Sequence, residues 1–164
     1  MFNKGDLIIY SSHGICCIDS ICDIDVLGES KKYYILHPIE NAKLKISIPV
    51  DSKKVLMKEL VTESEAKDIF ESFSGDGIEW IEASSYRNKV YSDILKNGGR
   101  DQISGLLNTL LRREQVAISD GKVFNERDSK LIKSIKSVLF KEMALALDIS
   151  YEQVEQKVNN IMFS

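Results

Sequence analysis

Apolar and polar positions alternate with a period of two through the first third of the chain and repeat at helical spacing afterwards. Leu7–Tyr10, opened by Gly5-Asp6, predicts a first strand. Ser11-Ser12-His13-Gly14 predicts a turn, and Ile15 to about Ile24 a second strand. Val26–Ser30 reads as a hairpin loop into Lys32–His37, an aromatic and apolar strand ended by Pro38. The cleanest alternation is Lys43–Val50, with Leu44, Ile46 and Ile48 on one side and Lys43, Lys45 and Ser47 on the other. A last short strand, Val55-Leu56-Met57, follows a turn at Asp51-Ser52. Short antiparallel strands without a helix predict a small barrel-like or strongly bent sheet. Lys43 and Lys45 mark their strand as an edge, because edge lysines discourage unwanted pairing.

The period changes at residues 59–62. Thr62-Glu63-Ser64-Glu65 is a capping box, and Ala66, Ile69, Phe70 and Phe73 form the apolar side of a first helix that ends at Gly75-Asp76-Gly77. A second helix is expected over Ser84–Lys96, with Tyr86, Val90, Tyr91, Ile94 and Leu95 spaced for burial and Asn97-Gly98-Gly99 as its stop. A third covers Asp101–Ile118, with Arg112-Arg113 near its end. A fourth runs from about Asn125 to Leu147, and Ser150-Tyr151-Glu152-Gln153 caps a fifth. The expectation is therefore an α+β chain: a small antiparallel β domain over 1–60, then an all-helical domain of about five helices over 61–164.

Composition excludes several classes of function. At 43% hydrophobic and 29% charged residues, the chain is ordinary for a folded protein. No apolar run approaches a membrane span, and no leader is evident at the N-terminus, so a cytoplasmic location without membrane contact is expected. Cys16, Cys17 and Cys22 read as reduced strand residues, because neighbours in a strand point to opposite faces and cannot readily share one zinc. No metal, cofactor or small-molecule substrate is expected. A thiol–imidazole enzyme built on His13 with Cys16 or Cys17 lacks an evident orienting third group.

The net charge of −3 conceals a basic block. Thr62–Ser85 holds one base against seven acids, Tyr86–Lys141 twelve bases against six acids, and Glu142 to the end one base against four acids. The fourth helix concentrates this charge. Leu131, Ile132, Ile135, Val138, Leu139 and Met143 fall in a sector about 140° wide, while Arg127, Lys130, Lys133, Lys136 and Lys141 lie opposite, interleaved with serines. Glu142 falls on the apolar side, where a structural role is expected. A face of Lys, Arg and Ser without acids suits phosphate oxygens; otherwise it is a solubilising face.

Trp80, the only tryptophan, sits between the Gly-Asp-Gly turn and this basic block, with Arg87 and Lys89 following. It is either a core residue sealing two layers or an aromatic wedge that acts with those two cations on a nucleic-acid duplex. The two readings stay open at this level.

Over nearly its whole length the chain resembles the CarD family of bacterial transcription regulators. The matching features are Met1-Phe2-Asn3-Lys4-Gly5-Asp6 with Tyr10 and His13-Gly14, Leu27-Gly28-Glu29 leading into Tyr33-Tyr34-Ile35-Leu36, and Ile48-Pro49-Val50. They continue with the Trp80 junction, Lys96-Asn97-Gly98, Leu110-Leu111-Arg112-Arg113 and Lys141-Glu142-Met143-Ala144-Leu145-Ala146. The resemblance implies a Tudor-like front domain that binds the RNA polymerase β subunit by strand pairing, similar to that of the transcription-repair coupling factor. It also implies a helical domain on promoter DNA at the upstream edge of the melted region, where the family tryptophan wedges into the minor groove and stabilises the open complex. The expected DNA-contacting residues are then Trp80, Arg87, Lys89, Arg127, Lys130, Lys133, Lys136 and Lys141. The expected polymerase-facing residues are Lys43, Lys45, Ile46, Ser47, Ile48 and Pro49, in a monomeric chain. The family commonly has Pro where this chain has Ser11, and basic residues soon after its Trp where Ile81-Glu82-Ala83-Ser84-Ser85 stands here. The alternative is a protein–protein adaptor that never touches DNA.

Overall fold

The computed structural model describes residues 1–10, 13–53 and 57–164. The chain divides into two compact units, Met1–Leu60 and Val61–Ser164.

In the first unit, strands β1 (Leu7–Tyr10), β2 (Gly14–Val26), β3 (Glu29–Pro38), β4 (Ile46–Pro49) and β5 (Met57–Glu59) form one antiparallel sheet in the order β4-β3-β2-β1-β5. Ile8, Cys16, Ile18, Tyr34, Leu36 and Ile48 share its buried face, with Phe2, Tyr10 and Ile46 packed around them. Phe2 is tied down twice, its N–H donating to Tyr34 Oη (3.1 Å) and its ring meeting Tyr34 edge-on at 6.1 Å. Cys16 is fully buried, and burial pushes its thiol pKa up, as suits an inert apolar filler.

The strands differ from the expected ones at their ends. The β2–β3 hairpin closes on two residues, Leu27 (φ 50°) and Gly28 (φ 84°), rather than on a loop over Val26–Ser30. A two-residue turn with both φ positive matches the twist of the flanking strands, so the ladder extends to Val26 and Glu29. A shift in register between Ile18 and Ser20 leaves Asp19 as an extra residue in β2. Most consequentially, β4 spans only Ile46–Pro49. Turns in which Asn41 N–H donates to Pro38 O (3.0 Å) and Leu44 N–H to Asn41 O (3.2 Å) occupy the chain up to Leu44. Lys43, Leu44 and Lys45 therefore stand outside the strand, and Leu44 is exposed. Of the expected last strand, Met57 lies in β5, while Val55 and Leu56, like Ser11 and Ser12, lie outside the described residues.

The second unit holds α1 (Glu63–Ser72), α2 (Ser84–Asn97), α3 (Arg100–Ser119), α4 (Glu126–Leu147) and α5 (Tyr151–Phe163). Capping boxes open α1 at Thr62/Glu65 and α5 at Ser150/Gln153, each hydroxyl and carboxylate or amide answering a free N–H. Asp148, in the left-handed region (φ 53°), turns α4 into α5. The core joins Ile69, Phe70 and Phe73 of the α1 end to Leu106, Leu107 and Leu110 of α3, Ile135, Leu139 and Met143 of α4, and Val154 and Val158 of α5. Helix α2 is rotated from its expected phase. Arg87 and Tyr91 are its buried residues, whereas Tyr86 is 60% exposed.

Candidate nucleic-acid interface and sheet edge

The segment between α1 and α2 is short on secondary structure but heavily pinned. Gly77 has φ 76° and lies so close to Thr109 Oγ1 and Gly105 O (2.9 Å from an added Cβ) that no side chain fits. Thr109 Oγ1 accepts from Ile78 N–H and donates to Ile78 O, both at 2.7 Å. Arg112 Nη2 donates to Gly75 O (2.8 Å), and Arg112 Nε to Asn108 Oδ1 (2.7 Å). Asn108 Nδ2 in turn donates to Gly75 O at 3.0 Å. Closer to α2, Tyr91 Oη donates to Glu79 O (2.8 Å) and accepts from Ile81 N–H (3.3 Å), which fixes the backbone on both sides of Trp80.

Trp80 is partly buried, its ring 6.3 Å from that of Tyr91. Two guanidinium groups approach it, Arg87 at 4.3 Å and Arg113 at 4.9 Å from the ring centroid. Each sits within cation–π range of the indole. They are not equivalent. Arg87 is 5% exposed. Its Nε and Nη2 donate to Asp128 (3.1 and 2.9 Å to Oδ2), and its Nη1 to Ile81 O (2.9 Å) and Glu82 O (3.1 Å). Asp128, from the first turn of α4, is 2% exposed, so the pair is fully desolvated and each partner answers the other's charge. This burial counts against the expectation that Arg87 clamps phosphate: most of its donors turn inward, and its guanidinium packs against the indole.

Helix α4 starts at Asn125, whose Oδ1 accepts from Arg127 N–H (2.9 Å) and Asp128 N–H (3.3 Å). Arg127, Lys130 and Lys133 are exposed along it. Lys130 is 3.4 Å from Glu126, an exposed i,i+4 pair of little energetic weight. Lys136 departs from the expected all-basic face: its side chain is 19% exposed, it meets Glu155 of α5 at 3.2 Å, and its Nζ lies 5.8 Å from the Phe140 ring. Lys141 is partly buried. Lys89 is exposed on the outward face of α2, beside Tyr86, Val90, Asp93 and Lys96.

Glu142, on the apolar side of α4, is 2% exposed. Its Oε1 accepts from Val61 N–H (2.7 Å) and from Arg100 Nε (2.9 Å). The carboxylate thus anchors the first residue of the helical unit to α4 and α3. Burial holds its pKa above the ordinary carboxylate value and outweighs the opposing pull of Arg100. The unfolded chain binds the proton less tightly. The associated stability is therefore complete below the ordinary glutamate pKa of about 4.3 and is lost as pH rises through the raised value. Urea denaturation across the acid range should accordingly show the stability of the parent protein falling, with rising pH, relative to Glu142→Gln. A flat difference between the two would show that the carboxylate is hydrated.

On the first unit, β4 forms one border of the sheet, paired to β3 with Tyr34 opposite Ile48 and Ile35 opposite Ser47. Ile48 is 3% exposed and belongs to the core, while Ser47 is exposed and Ile46 and Pro49 partly so. Lys43 is exposed. Lys45 Nζ donates to Asp19 Oδ2 (2.9 Å), and Asp19 also receives His37 Nδ1 at 2.8 Å. The hydrogen bonds from His37 and then Lys45 hold the Asp19 carboxyl below its ordinary pKa. The bulged carboxylate thereby ties β2 and β3 to the residue that enters β4.

Residues 2–61 match the CarD-like/TRCF RID domain family. That match covers the first of the two units. A protein of Bacillus subtilis (strain 168) named "Putative transcription factor YdeB" is 24% identical to the chain over 158 residues, spanning 94% of this chain and 98% of that protein. Within the matched residues β4 is one of two border strands, and among Ile46, Ser47, Ile48 and Pro49 the exposed side chain is Ser47.

The structure draws Trp80 and Arg87 together and places Arg127 beside Arg87 at the rim of one small cleft with Ser84, Asn88 and Asn125. Lys89 sits apart from that cleft, and Lys136 is held by α5. Sequence reasoning passed over Arg113 as a site residue. Its only signal was the Arg112-Arg113 doublet, and no helical wheel shows which of two adjacent arginines meets a residue 33 positions earlier.

Proposed function

We propose that this protein is a non-enzymatic transcription regulator that joins RNA polymerase to promoter DNA. The RID domain binds the polymerase β subunit through the β4 border. The helical domain contacts the duplex near the upstream edge of the transcription bubble and modulates the stability of the open complex. The observation that carries this reading is the match of residues 2–61 to the RID domain family, with β4 at one of the two borders of the sheet. A strand added there gains main-chain hydrogen bonds, with alternate side chains such as Ser47 facing the partner. The partly exposed indole of Trp80 supports the DNA role. Opening a base step costs a few kcal/mol, least where the duplex is already melting. Arg127, Lys130, Lys133 and Lys89 supply exposed cations for phosphates. The reading needs no cofactor and places a monomer in the cytoplasm with its polymerase.

Co-purification tests the first half. The full chain should retain RNA polymerase, and the chain beginning at Val61 should lose it. Equal retention by both would overturn the assignment of the polymerase contact to the RID domain. A second reading, an adaptor whose helical domain meets only protein, is favoured by the burial of Arg87 and the acid pairing of Lys136. Complexes of that kind respond weakly to salt, whereas phosphate contacts weaken steeply from low to physiological ionic strength.

A further inference from the structure

Two adjacent arginines of α3 have opposite fates. Arg112 is consumed by the chain: its Nε goes to Asn108, and its Nη2 to Gly75 O at 2.8 Å and Phe73 O at 3.4 Å. Arg113, about 100° further round the helix, is exposed and forms no hydrogen bond or ion pair among the described residues. Its guanidinium lies 4.9 Å from the Trp80 ring centroid. The other guanidinium on that ring, Arg87, is buried and directs four of its five N–H groups to Asp128, Ile81 O and Glu82 O. Of the two cations that touch the indole, Arg113 is the exposed one, with all its N–H groups unbonded among the described residues.

The charge around Trp80 makes this matter. Glu79 and Glu82 flank it in sequence, and both are exposed. A phosphate nearing the indole would meet two carboxylates, while the Arg87–Asp128 pair is neutral as a unit. Arg113 is the counter-charge at that spot. Its contact with the indole also restricts its rotamers, so the planar fork is held ready before an anion arrives.

We propose that Arg113 is the phosphate-binding residue of the Trp80 patch, gripping one backbone phosphate of a nucleic acid with its guanidinium fork while the indole meets the adjacent base step. This rests on the reading of the helical domain as DNA-contacting. It transfers to Arg113 the role that the sequence suggested for Arg87. A bidentate guanidinium–phosphate contact positions the duplex without reading its sequence.

The test uses the full-length protein and a labelled DNA duplex with a short mismatched bubble, titrated from about 50 to 200 mM salt, the range over which phosphate contacts separate clearly. Arg113→Gln should reduce the magnitude of the slope of log affinity against log salt by about 0.9, the value for one phosphate. Arg113→Lys, which keeps the charge and the aliphatic packing, should restore that slope even if Arg113→Gln disturbs the fold. Trp80→Ala should weaken binding with the slope unchanged. Should Arg113→Gln keep the parent slope while Lys133→Gln reduces it, Arg113 merely packs on the indole and the proposal is overturned alone. Should the parent protein and all variants fail to bind this DNA, the DNA-contacting reading is overturned and the role of Arg113 with it.

Discussion

Asp128→Ala is expected to destabilise the helical domain by about 3–5 kcal/mol, the usual cost of stranding one member of a buried ion pair. The Arg87 side chain is 6% exposed and that of Asp128 3%, so water cannot replace the missing carboxylate without opening the α2–α4 packing. Two of the Arg87 hydrogen bonds, to Ile81 O and Glu82 O, would persist, but its charge would have no answer. Because the guanidinium lies 4.3 Å from the Trp80 ring, the same substitution should loosen the indole and shift its fluorescence to the red. Asp128→Asn should cost less, since the amide oxygen still accepts from Nε or Nη2. Urea denaturation followed by Trp80 fluorescence reads both effects at once. A destabilisation below about 1 kcal/mol for Asp128→Ala would match an exposed pair instead, and would show that Arg87 reaches water after all.

Reversing the exposed cations of α4 is the second large effect. Arg127→Glu, Lys130→Glu and Lys133→Glu together should lower the magnitude of the salt slope of DNA binding by roughly 2–3, about one for each phosphate no longer neutralised. The melting temperature should barely move, because these side chains are exposed and Lys130 alone among them has an ion-pair partner, itself exposed. Lys136→Glu should behave in the opposite way. It sets a carboxylate against Glu155 in a site where the lysine side chain is 19% exposed, and so should weaken the α4–α5 packing more than DNA binding. If the triple variant keeps the parent slope on the same bubble-containing DNA, α4 is a solubilising face and the adaptor reading is strengthened.

Local signals carried much of this molecule. The Thr62/Glu65 and Ser150/Gln153 boxes could be read as helix starts because each is closed by residues three apart. The apolar stripe of α4 could be read because burial of Leu131, Ile135, Leu139 and Met143 depends only on helical spacing. Glu142 was recognisable as structural because it interrupts that stripe. The pattern over Lys43–Ser47 misled, since alternation shows that a segment suits a ladder but not that a neighbour is free to pair with it. Turns between Pro38 and Leu44 had already used that backbone. Tyr86 and Arg87 misled in a related way. Hydropathy favours burying the tyrosine, but Asp128 lies across from position 87, and a buried arginine paired with a carboxylate is acceptable where an unpaired one is not.

By itself the sequence determined the α+β class, the order of strands and then helices, and the caps and stripes that begin and orient most of them. These follow from interactions within a few residues and from the two periods of the backbone. Tertiary structure alone decided which cations face water. Arg87, Arg112 and Lys136 were claimed by Asp128, by the backbone around Gly75 and by Glu155, all distant in sequence, while Arg113 was left open beside the indole. Charge can be counted along a chain, but its availability depends on the acceptors that folding brings within hydrogen-bond reach.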